Sequence, residues 1–113
     1  MTLIKSIVYL YGFSPTLEMK LETMLEILKE QIKLNTDISV VLIHDGVIGT
    51  SNRGLTPESL KKILNLPVKI YVIIPDIKAR GMDPNNLIGK IKGIEYEDLV
   101  DILTTSHKIV SWM

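Results

Sequence analysis

The residues best placed to do chemistry are Ser14, His44, Asp45 and Asp76, each just past an apolar run, together with Arg53, Arg80 and Trp112. If those runs are parallel strands, the first four stand at the carboxyl edge of a sheet, where ligands collect in open α/β domains. Ser14, His44 and Asp76 are then of the right types for a nucleophile, a base and an orienting carboxylate. Simpler roles compete with that one. Ser14 and Asp76 sit where helix caps belong, and Asp45 suits the backbone amides of a strand-end turn. His44 and Asp45 are adjacent, so along a strand their side chains would diverge. No G-x-S-x-G elbow accompanies the serine. A ligand site at this edge is therefore the alternative reading, with Arg53 as its cation.

Gly49-Thr50-Ser51-Asn52-Arg53-Gly54-Leu55-Thr56 has the glycine spacing of a phosphate-binding loop. It places Leu55 where the lysine must be, and Pro57 removes an amide donor, so an ordinary glycine-rich connection is expected. Arg80, before Gly81, could grip a carboxylate with two donors across an interface. Trp112 could cap its own core or plug into a neighbour, since tryptophan and arginine are favoured interface anchors. His107 precedes the last apolar run and reads as a surface or packing residue. None of the 113 residues is cysteine, which removes disulfides, thiolate metal sites and cysteine nucleophiles from consideration. With two histidines far apart, no metal-ligand spacing is recognisable, and no cofactor is implied.

The elements that must position these residues follow from hydrophobic spacing. Leu3–Tyr11, Ile38–Ile43 and Val68–Ile74 are short, β-branched apolar runs of the kind buried on both faces of a parallel sheet. A helix is expected from about Pro15 to Leu34, with Ser14 as cap and Leu17, Leu21, Met24, Leu25, Leu28 and Ile32 on one stripe; Asn35-Thr36-Asp37 closes it. Thr56-Pro57-Glu58 opens a short helix, and Asp76 caps a helical turn that Gly81 ends. A short strand is expected within Ile88–Ile94. Glu95–Thr105 follows as a helix with Leu99, Val100 and Leu103 inward, and Lys108–Trp112 is the last strand. The expected fold is a single-domain three-layer α/β/α sandwich with four or five mostly parallel strands.

Lys plus Arg and Asp plus Glu are each 13, a net charge of zero. Nucleic-acid binding draws on a basic excess to displace counterions, so direct contact with nucleic acid is not expected. A neutral surface repels copies of itself weakly and permits oligomers. No apolar stretch approaches the length of a membrane span, and no leader-like segment is present, so a cytoplasmic location is expected.

The order of segments resembles a known family. Val41-Leu42-Ile43-His44-Asp45-Gly46-Val47 is similar to the "LLQDGV" strand end of the DsrH/TusB family. Ser51-Asn52-Arg53 and Glu58-Ser59-Leu60 resemble the loop and short helix that follow there. Val68–Val72 with Asp76–Met82 resembles its "KVYAL…D..ARGL" block, and Ile94–Val100 with His107–Trp112 resembles its "I.Y.DFV…H…W" tail. The resemblance implies a DsrE/F/H-like fold and a role in sulfur relay, either tRNA wobble-uridine 2-thiolation or intracellular sulfur oxidation. It implies a heterohexamer with DsrE/TusD-like and DsrF/TusC-like paralogues; apart from the resemblance, self-association as a stand-alone homo-oligomer without a relay role is a further alternative. A paralogue would carry the reactive cysteine, and a sulfur-carrier protein would be met indirectly. Within it, His44, Asp45, Arg53, Arg80 and Trp112 are the candidate interface or pocket residues. Met24 matches the position at which some DsrH proteins carry a cysteine, and His44 replaces the family glutamine.

Overall fold

A computed structural model describes residues 5–14 and 18–113. The strand β1 (Ser6–Tyr11) leads to helix α1 (Glu18–Lys33) and strand β2 (Asp37–Leu42). A 3-10 turn (His44–Val47) and a loop precede α2 (Glu58–Leu64), β3 (Lys69–Ile73) and α3 (Ile74–Ala79). A second 3-10 turn (Pro84–Asn86) is followed by β4 (Ile91–Ile94), α4 (Tyr96–Thr105) and β5 (Lys108–Trp112). The expected starts of the first strand, at Leu3, and first helix, at Pro15 with Leu17 on its stripe, lie outside the described residues.

All five strands are parallel, in the order β4-β3-β2-β1-β5. The alternation of side chains along each strand divides the core in two. On one face Tyr9, Tyr11, Val40, Leu42, Ile70 and Val72 meet Leu21, Met24, Leu25 and Leu28 of α1 and Leu60 and Ile63 of α2. Ile77 of α3 joins this side. On the other face Val8, Leu10, Val41, Ile43, Ile73 and Ile94 pack under Leu99, Ile102 and Leu103 of α4. The sandwich is thus three-layered and unequal: among the described residues, α4 is the helix that covers the second face.

Several local expectations change in detail. Asp76 is not a cap. It is the third residue of α3, whose N-cap is Ile73, because the chain turns into the helix directly from β3. The N-cap of α2 is Pro57, with no side-chain hydrogen bond. Glu95 caps α4 through a reciprocal bond with Asp98. Val100 is 55% exposed rather than inward, and Ile102 takes the inward place. Asn35, at φ 57°, closes α1 in the left-handed conformation that asparagine tolerates.

Candidate functional site

The helices that follow β1, β2 and β3 lie on one face, whereas α4 after β4 lies on the other. The point at which successive connections part to opposite faces is therefore between β3 and β4. A crevice at the carboxyl ends of the strands belongs there, and it is here that the polar residues meet.

Asp76 is at its centre and is buried. Its Oδ2 accepts the His44 backbone N–H at 2.7 Å, and its Oδ1 accepts the Tyr96 hydroxyl at 3.3 Å. Arg80, one turn later on α3, donates from Nε and Nη2 to a single oxygen of Asp45, at 3.1 and 3.0 Å, and from Nη1 to the Asp76 carbonyl at 3.2 Å. The cluster ties the end of β2, helix α3 and the start of α4 into one unit. His44 holds a left-handed backbone at φ 50°, a conformation that costs a non-glycine residue roughly 1 kcal/mol. The bond from its N–H to Asp76 offsets that cost.

The structure brings together His44, Asp45, Asp76 and Arg80 through the bonds of Asp76 to the His44 backbone and of Arg80 to Asp45. Asp76 meets the backbone of His44 and not its ring, so it does not orient the imidazole. Asp45, expected to satisfy turn amides, pairs instead with Arg80, because Asp76 already takes the amide. Arg80 grips a carboxylate of its own chain. Arg53 stands apart in a loop stitched to 84–88 by Asn52 N–H to Asn86 O at 2.7 Å and Ile88 N–H to Thr50 O at 2.9 Å. The amides of Thr50, Asn52 and Arg53 are all engaged within the chain, so these three are not offered to a phosphate. Trp112 packs against its own core, its ring 6.4 Å from that of Tyr11, and its carbonyl accepts the Gly12 N–H. His107 Nδ1 accepts the Ser6 N–H at 3.0 Å and fastens the start of β5 to β1. The Ser14 cap concerns a turn that lies partly outside the described residues.

Tyr96 is the member of the cluster that residue types and spacing did not single out; only the resemblance touched it. Its phenol is pushed above its ordinary value of 10.0, first by the negative charge of Asp76, then by lost solvent and the hydrogen bond, with Arg80 opposing. Burial raises Tyr9 and Tyr11 as well. A raised folded-state value means that the contribution of the neutral phenol is complete below pH 10.0, the unfolded value, and is lost as pH rises through the folded value. In a tyrosinate absorbance titration, Tyr96→Phe should delete one late-ionising phenol and Asp76→Asn should bring Tyr96 back toward 10.0. An unchanged titration in Asp76→Asn would show that the carboxylate does not govern the phenol.

Among the described residues no group of three or more His, Cys, Asp or Glu could hold a metal ion. Met24 is fully buried, so a side chain at that position faces the core and not a partner. Among the described residues no helix is long and apolar enough to cross a membrane.

The fold has close structural relatives. The ychN protein from E. coli superposes over 96% of this chain and 100% of its own with a TM-score of 0.76 at 18% identity. The protein of unknown function MTH1491 from Methanobacterium thermoautotrophicum does so over 96% and 99% with a TM-score of 0.72 at 14% identity. The architecture is that of the DsrE/F/H-like α/β domains. Protein TusB of Yersinia pestis (strain Pestoides F) is 31% identical over 77 residues, which are 65% of this chain and 73% of TusB. The same figures hold for Protein TusB of Yersinia pseudotuberculosis serotype O:1b. The family model described as "DsrH like protein" matches residues 13–109, and the chain belongs to that family.

Proposed function

We propose that this chain is a non-catalytic framework subunit of a cytoplasmic sulfur-relay complex. It would position a cysteine-bearing DsrE/TusD-like paralogue, with a DsrF/TusC-like paralogue completing a heterohexamer. The relay would serve tRNA wobble-uridine 2-thiolation or intracellular sulfur oxidation. The observation that carries this reading is membership of the DsrH-like family by a 113-residue chain with no cysteine. Sulfur relays pass the atom between thiols, so a chain without a thiol makes no bond to it and contributes shape. The carboxyl-edge cluster supports that role, because its polar groups are bonded to one another and brace three elements. The alternative, a ligand site at that edge, has less support, because Asp45, Asp76 and Arg80 are engaged within the chain.

Co-expression with DsrE/TusD-like and DsrF/TusC-like proteins from the same genome tests the proposal. The expected result is one complex of fixed stoichiometry in size-exclusion chromatography, with persulfide sulfur on the paralogue alone. Separate elution of this chain overturns the reading.

A further inference from the structure

We infer that the α4 face of the sheet pairs with the same face of a second copy of this chain. The inference is independent of the sulfur-relay reading and rests on two complementary surfaces that lie side by side.

The first is a basic groove of about 290 Å³ at the amino ends of β3 and β4, lined by Lys69, Tyr71, Lys90 and Lys92 among others. Tyr71 packs with the α4-side core. Lys69 is two residues earlier on the same strand, and Lys92 is directly opposite Tyr71 in register, so both side chains share that face. The only carboxylate paired with these lysines among the described residues is Asp37, 3.9 Å from Lys69. Lys90 is held over the groove by the carbonyls of Leu64, at 2.7 Å, and Leu66.

The second is the outer side of α4. Between Ile94 and His107 there are four carboxylates, Glu95, Glu97, Asp98 and Asp101, and no lysine or arginine. Tyr96 and Val100, one turn apart, are 52% and 55% exposed. Glu97 and Asp101 form the adjacent lane with the same spacing, and both are exposed. An apolar lane beside an acidic lane matches a groove with an aromatic floor and a cationic rim. The zero net charge of the chain therefore hides a segregation of charge on one face.

Because helix and groove share that face, a two-fold axis lying in the interface seats each helix in the other copy's groove. Both halves of the contact are then made twice, and the assembly closes as a dimer.

Sedimentation equilibrium of the full chain tests this. The wild type should have twice the 12.7 kDa chain mass. Lys69→Glu/Lys92→Glu and, separately, Glu97→Lys/Asp101→Lys should each weaken association by about a hundredfold, since like charges would face each other. All four positions are exposed, so circular dichroism should confirm that both variants fold. An equimolar mixture of the two should recover the dimer, because both cross-contacts become attractive. A monomeric wild type, or a mixture that stays monomeric, overturns the inference. A co-expressed paralogue that binds wild type but not Lys69→Glu/Lys92→Glu would make the occupant a paralogue, which also overturns it. The co-expression experiment judges the sulfur-relay reading separately.

Discussion

Gly46→Ala should lower the melting temperature by roughly 10–20 °C, the equivalent of about 3 kcal/mol in a domain of this size. Gly46 is buried in the 3-10 turn after β2. A Cβ built there stands 2.3 Å from the carbonyl oxygen of Tyr11. That oxygen accepts the Ile43 N–H at 2.9 Å, at the carboxyl end of the β1–β2 ladder. The neighbour is backbone in the middle of a parallel sheet, so neither strand yields without losing that bond. Gly54→Ala is the matching control. A Cβ there meets nothing within 4 Å, and its effect should stay within about 0.5 kcal/mol. Thermal unfolding of the two variants beside wild type checks the contrast; equal melting temperatures would mean that the turn gives way freely.

Asp76→Ala should cost about 2–3 kcal/mol, because it leaves the His44 N–H without its charged acceptor at a part-buried site. The left-handed backbone of His44 loses the bond that offsets its strain, and α4 loses one tie to α3. Asp76→Asn keeps one acceptor oxygen and should cost less. Tyr96→Phe removes only the 3.3 Å bond at an exposed ring and should cost least. Denaturant unfolding should rank the variants in that order. An Asp76→Ala variant as stable as Tyr96→Phe would place the weight of the cluster elsewhere. Loss of the cluster should also loosen the carboxyl edge and, under the proposed function, weaken assembly with the paralogues.

The strands and helices were legible because burial imposes period. Val40, Val41 and Leu42 are buried on both faces, and runs of that kind require a covered parallel sheet. Leu21, Met24, Leu25 and Leu28 recur at helical spacing because one side of α1 meets that sheet. Ends were less legible. Asp76 had the type and place of a cap, yet β3 runs into α3 without a loop. Val100 fitted an inward stripe as well as Ile102 did, since short helices leave more than one stripe consistent with their composition.

The candidate site divides along the same line. The absence of cysteine is a property of the chain itself, and it alone removes thiol chemistry. His44, Asp45, Asp76 and Arg80 could be named from their places after apolar runs. Their partners could not be named, because a hydrogen bond between residues 32 positions apart, such as that from His44 to Asp76, depends on which strands are neighbours. Tyr96 enters the cluster only because the β4 connection crosses to the opposite face from the β3 connection. The amino-acid sequence by itself therefore determined the elements, the missing thiol and the roster of polar residues, since these follow from composition and short-range period. Strand order and handedness of crossover, which exist only in the assembled sheet, decided which of those residues touch and that the lysines of β3 and β4 share a face with the carboxylates of α4.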